Sequence, residues 1–176
     1  MRKLAAIGIL VILGFGLSGC SSTVKRDVAS VRPLTVQPVS SVNVFMTEAG
    51  KTKLSENIKF NTESLREIVE RTLSAIGLVK KESPVRLDIA VDDVRVRSTF
   101  SAIMWGFMAG DDRVNGTVTL VGGDGALIDK FDVSASYALG GLAGGQDSAR
   151  MSYLYEAFAQ STVDELQGKI KADTPK

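Results

Sequence analysis

The chain has 176 residues, with 21 Lys and Arg against 20 Asp and Glu and a net charge of +1, a balance that excludes an extended basic surface for nucleic acid. It contains no histidine and one cysteine, Cys20, which removes the common zinc and copper ligand sets, every Ser-His or Cys-His nucleophile pair and any intramolecular disulfide. Chemistry would have to run on carboxylates, lysine or tyrosine alone, so the chain is read as non-enzymatic, with no cofactor and no metal.

Residues 1–19 run from a basic start, Arg2-Lys3, through an acid-free apolar stretch to the small residues Ser18-Gly19 ahead of Cys20, the three-part build of a secretory signal peptide. The apolar stretch Leu4 to Leu17 makes about 21 Å of helix at ~1.5 Å per residue, too short for the ~30 Å hydrocarbon core of a bilayer. Leu17-Ser18-Gly19-Cys20 resembles the bacterial lipoprotein signal. That resemblance implies cleavage before Cys20, acylation of its thiol and amino group, and a membrane partner reached through the lipid. Ser21 stands where inner-membrane retention in enteric bacteria would want aspartate, which points to a lipid-anchored protein of the outer membrane, facing the periplasm.

Residues 21–38 lack apolar periodicity and carry Pro33 and Pro38, which predicts that 20–38 is an extended tether reaching about 60 Å at ~3.3 Å per residue. Val39 to Met46 alternates and reads as a first strand, and Thr47 to Asn61 reads as a polar loop. From Thr62 the period changes. Leu65, Ile68, Val69, Leu73 and Ile76 form one helical stripe, with Asn61 or Thr62 to cap its start and Gly77 to end it.

After Pro84 a second strand carries Val85, Leu87, Ile89 and Val91 on one face. Its apolar phase slips at Asp92-Asp93 to Val94 and Val96, which predicts a bulge. A third strand spans about Arg113 to Val121, and Gly122-Gly123-Asp124-Gly125 makes a tight reversal. The fourth strand, Ala126 to Tyr137, points Leu127, Phe131, Val133, Ala135 and Tyr137 one way and charged or small residues the other. Asp147 can cap a last helix whose stripe is Met151, Leu154, Tyr155, Phe158, Thr162, Leu166 and Ile170, before a polar tail, 171–176.

The order strand, helix, strand, strand, strand, helix predicts one α+β domain over 39–170. It is a two-layer sandwich in which a mixed four-stranded sheet carries both helices on one face. If the first two strands are parallel across a right-handed crossover, the link from strand two to three and the end of strand four share one pole. That pole collects the two oddest segments, 99–110 and 138–145. The first holds Phe100, Ile103, Met104, Trp105, Phe107 and Met108, where a hairpin link is ordinarily short and polar. It reads in three ways: folded over its own core, in contact with a protein partner or a second copy, or inserted in the bilayer surface. Gly140, Gly141, Gly144 and Gly145 make the second a linker, or a place of close approach to a ligand or another chain. The adjacent aspartate pairs Asp92-Asp93 and Asp111-Asp112 read as solvated turns or strand ends.

Val85-Arg86-Leu87-Asp88-Ile89, the apolar link, the Asp-Gly turn, the run Gly140-Gly141-Leu142-Ala143-Gly144-Gly145 and the final amphipathic helix share a pattern. From Val85 to Gly168 the chain resembles bacterial lipoproteins grouped as domain of unknown function 4410, a resemblance that brings no activity with it. The function expected is a lipid-anchored cell-envelope lipoprotein, binding or assembling through its apolar pole with a protein partner or with itself. The alternative is a carrier or sensor of an apolar envelope ligand such as lipid. A carboxylate-based glycan hydrolase stands third, and it needs two carboxyl groups about 5 to 9.5 Å apart in a cleft.

Overall fold

A computed structural model describes residues 20–26, 36–54, 60–98, 110–138 and 147–169. The elements are β1 (Cys20–Lys25), β2 (Ser41–Met46), α1 (Glu48–Lys53), α2 (Thr62–Ala75), β3 (Arg86–Arg95), β4 (Asp112–Val121), β5 (Leu127–Tyr137) and α3 (Asp147–Leu166). The strands form one sheet in the order β1-β5-β4-β3-β2, with β2 parallel to β3 and the other pairs antiparallel. The α+β class and the mixed sheet are as the periodicity predicts. Among the described residues the sheet has five strands rather than four, and there are three helices rather than two.

Both additions escape an argument from apolar pattern. β1 is an edge strand with one neighbour, and Ser21, Ser22 and Thr23 are exposed, so no alternating stripe marks it. The tether expected over 20–38 is therefore shortened from its start: Cys20 through Lys25 lie in the sheet, Cys20 opposite Tyr137 and Lys25 opposite Asp132. α1 replaces part of the loop expected over 47–61. It is six residues long and has no apolar stripe. Its start is fixed by Thr47, whose Oγ1 accepts from Gly50 N at 3.1 Å, while Glu48 in the first turn and Lys51 and Lys53 in the last complement the helix dipole. Gly50 is required there because a Cβ would stand 2.5 Å from the Val91 carbonyl oxygen.

α2 begins and ends where its sequence says. Asn61 Oδ1 accepts from the amides of Glu63 and Ser64 at 2.8 and 3.2 Å, and Gly77, at φ 73°, closes the helix as Leu78 N donates to Leu73 O. The bulge in β3 falls at the predicted place, between Val91 and Asp93. A second irregularity between Leu120 and Val121 turns Leu127 outward, so that it is exposed rather than on the core face.

The core lies between the sheet and the helices: Leu65, Val69 and Leu73 of α2 and Leu154, Phe158 and Val163 of α3 meet Leu87, Ile89, Val118, Phe131 and Val133. Burial of each such side chain contributes about 1.5–3 kcal/mol, enough for a domain with no disulfide. No described element covers the opposite face, where Asn43, Lys130 and Asp132 are exposed. Phe45 stands 49% exposed there.

Candidate functional site

The antiparallel succession of β3, β4, β5 and β1 sets the ends of the strands. β3 ends, β4 begins and β5 ends at the same pole, and β1 begins there too, since Cys20 pairs with Tyr137 and Tyr137 with Asp112. Sequence reasoning placed the two links at one pole, and the described strand ends agree. It did not place Cys20 there. Of the residues proposed for binding, Phe100, Ile103, Met104, Trp105, Phe107, Met108, Gly140, Gly141, Gly144 and Gly145 lie outside the described residues. So does the leader, 1–19.

What the described residues contribute at this pole is a buried ion network. Asp112 is wholly buried, with Arg150 1% and Arg97 5% exposed. Arg97 N and Nε donate to Asp112 Oδ1 at 2.6 and 3.1 Å, and its Nη2 donates to Asp112 Oδ2 at 3.1 Å and to the Tyr137 carbonyl at 3.2 Å. Arg150 Nη2 donates to the Arg97 carbonyl at 2.7 Å and to Asp147 Oδ1 at 2.6 Å, while its Nε lies 3.3 Å from Asp112 Oδ2. One carboxylate thus joins the exit of β3, the start of β4, the end of β5 and the first turn of α3. Asp112 stands at a strand end, one of the two places expected of it, but it is buried rather than solvated, because it is in phase with the inward-facing Val114, Gly116 and Val118. Close by, Tyr137 and Tyr153 pack with ring centroids 5.1 Å apart.

A second network lies at the other end of β1. Arg26 Nη1 and Nη2 donate to Asp129 Oδ1 and Oδ2 at 2.5 and 2.8 Å, Nε donates to Glu165, and the guanidinium stands 5.1 Å over the Phe131 ring. These carboxylates raise the Arg26 pKa above its ordinary value, with burial opposing. The pair ties β1 to β5 and α3.

Asp92 and Asp93 occupy the β3 bulge rather than a turn or a strand end. Asp93 accepts from Arg113 Nε at 2.7 Å. Asp92 is half-buried, and its carboxyl is pushed above the ordinary range first by burial and then by Asp132 and Asp93, against Lys53. The folded state holds this proton more tightly than the unfolded chain. Its contribution is therefore present below the unfolded pKa and is lost as pH rises through the raised value. Asp92→Asn should melt higher than the parent at pH 7, with the gap closing on acidification toward 3.8 in melts followed by circular dichroism. A gap that widened on acidification would contradict this sign.

Among the described residues no three His, Cys, Asp or Glu cluster closely enough to hold a metal ion, and no helix is long and apolar enough to cross a membrane. A groove of about 510 Å³ runs beside the outer edge of β2, lined by Val44, Phe45, Met46, Lys51, Phe60, Asn61 and Thr62. It meets α3 at Tyr155, whose hydroxyl accepts from Asn61 N at 2.8 Å and whose ring packs edge-on against Phe60 at 5.6 Å between centroids.

These features define a two-layer α+β domain with its strand ends drawn to one pole by buried ion pairs. A model of the domain of unknown function DUF4410 matches residues 22–141, and the chain belongs to that family. No curated protein matches it. Among solved structures it is similar to a PelC dodecamer from Paraburkholderia phytofirmans at 15% identity, covering 79% of this chain and 96% of that one, with a TM-score of 0.43. A variant PelC dodecamer from the same organism gives 18% identity, 79% and 95% coverage and a TM-score of 0.42. An uncharacterized protein gives 15% identity, 79% and 95% coverage and a TM-score of 0.46.

Proposed function

We propose that this chain is a lipid-anchored lipoprotein of the outer membrane, facing the periplasm, and that it works as a non-enzymatic binding or assembly module. Its leader is a signal peptide, its anchor is acylated Cys20, and its contact surface is the pole at which the links 99–110 and 138–145 leave the sheet. The observation that carries the reading is the shared position of Cys20, the exit of β3, the start of β4 and the end of β5. A link holding Phe100, Trp105, Phe107 and Met108 supplies the residue types enriched at interface cores. The occupant is a protein partner or a second copy of the chain.

The double substitution Trp105→Ser and Phe107→Ser tests this. Size-exclusion chromatography with light scattering on detergent extracts should show the complex or oligomer lost, with far-UV circular dichroism unchanged. Survival of the assembly, or collapse of the fold, would assign the link to the core and end the proposal.

A further inference from the structure

The sheet has two outer strands, and their edges are guarded differently. β1 ends in Lys25 and is tied to α3 through Arg26 and Glu165. β2 runs Ser-Val-Asn-Val-Phe-Met, with no charged residue, no proline and no register shift against β3. Charge, proline and bulges are the devices that keep an open edge from pairing with another chain. Without them β2 is a template.

The ladder decides which atoms the edge offers. Thr47 N donates to Val91 O at 2.9 Å, so Thr47, Phe45 and Asn43 turn their backbone amides and carbonyls toward β3. Val44 and Met46, by the alternation of a strand, turn theirs outward. Among the described residues nothing pairs with that outer side except at its approach, where Val39 bridges Val79. Beside these open groups lies the groove of about 510 Å³, walled by Val44, Phe45 and Met46 of the strand and by Lys51, Phe60 and Thr62. Backbone donors and acceptors next to an apolar wall suit an extended peptide, whose amides complete the ladder while alternate side chains enter the groove. The charge there has one sign. Lys51 is the only ionisable residue of the lining, and its pair with Glu48 is a surface contact, with 59% and 88% of the two side chains exposed, that a ligand carboxylate can replace at little cost. Phe45, 49% exposed on the open face, would gain cover from a strand laid alongside it.

We propose that the outer edge of β2 takes up an extended, acidic segment of a partner protein as a further strand, with an apolar side chain of that segment against Phe60 and a carboxylate at Lys51. This edge is the one opposite β1, so docking there requires neither acylation of Cys20 nor contact through the links 99–110 and 138–145. A second copy of the chain fits it worse. Twofold pairing runs two β2 edges antiparallel, which brings the Lys51 end of one toward the start of the other, where exposed Lys80 donates its amide to Val39 O. Like charges meet there.

Two fluorescein-labelled peptides serve as probes: Thr-Val-Thr-Val-Thr-Val-Glu-Glu for a parallel approach and Glu-Glu-Val-Thr-Val-Thr-Val-Thr for an antiparallel one, each setting its acids at the Met46 end. Binding to the full chain in detergent is followed by fluorescence anisotropy. One of them should bind the parent. Methylation of one alternate set of its backbone nitrogens should weaken binding by about tenfold or more and methylation of the other set should not, since only one set faces β2. Val44→Pro removes an outward amide and spares the ladder to β3, so it should weaken binding by a similar factor with far-UV circular dichroism unchanged. Lys51→Glu should weaken binding too, and a probe carrying Lys-Lys in place of Glu-Glu should restore it. The double variant Trp105→Ser and Phe107→Ser should keep the probe bound.

Neither probe binding the parent at millimolar concentration, or binding indifferent to which nitrogens are methylated, overturns the proposal. Loss of the probe from the Trp105 and Phe107 variant would move the peptide to the pole and overturns it as well. A parent dimer that Val44→Pro splits would give the edge to a second copy instead. Should Val44→Pro fail to fold, the methylated probes, which leave the protein untouched, still decide. An assembly unmoved by the Trp105 and Phe107 changes sinks the proposed function alone, and a probe that never binds sinks this inference alone.

Discussion

Asp112→Ala should destabilise the domain by about 3–5 kcal/mol, the usual consequence of removing one partner from a buried ion pair. At ~2–4 °C per kcal/mol for a domain of this size, the midpoint of a thermal melt should fall by roughly 10 °C or more. The loss is large because Asp112 accepts from the Arg97 amide and guanidinium and faces Arg150, all within a site closed to water. Two guanidiniums would be left sharing a site whose remaining carboxylate, Asp147, is 56% exposed. Arg150→Met should cost less. Arg150 Nε and Nη1 make no hydrogen bond, so methionine replaces much of its packing and gives up chiefly the Nη2 contacts. Melts in which the Arg150 variant is the weaker of the two would refute this ordering.

Under the proposed function, Cys20→Ala should move the protein from the membrane fraction to the soluble one and abolish metabolic labelling with palmitate. Two or more acyl chains, each worth ~0.8 kcal/mol per buried methylene, hold a protein stably, and a chain without them has no spanning helix among its described residues to take their place. Fractionation and labelling check both outcomes. An unlabelled parent chain would remove the anchor from the proposal. A Cys20→Ala chain that stayed with the membrane would move the anchoring to the pole itself.

The sequence carried the helices and the inner strands because apolar periodicity is a direct imprint of burial. The stripe Leu65, Val69, Leu73 is buried, and the phase slip at Asp92 is a register shift in the ladder. β1 and α1 were illegible for the same reason, since neither buries a regular apolar stripe. The ion networks left a fainter mark that could have been followed. Asp129 falls in phase with Phe131, Val133 and Ala135, and Arg150 and Glu165 continue the stripe of Leu154, Phe158 and Thr162 on α3. A charge on an apolar face announces a buried partner. It does not name that partner, because Arg26 and Asp129 are 103 residues apart and only the pairing of the first strand with the last brings them together. β2 and β3 are parallel, as the argument from sequence requires, and the antiparallel succession of β3, β4, β5 and β1 gathers the strand ends at one pole.

The place of β1 in the sheet also has a kinetic consequence. A chain delivered across a membrane amino end first presents β1 long before β5, its sole neighbour, whose side chains meet those of β1 some 115 positions later. Closure of so wide a loop comes late in folding. Under the proposed function, Cys20 would stay on an unpaired segment throughout that interval, within reach of the acylating enzyme, and the edge formed by β1 would be the last of the sheet to be sealed.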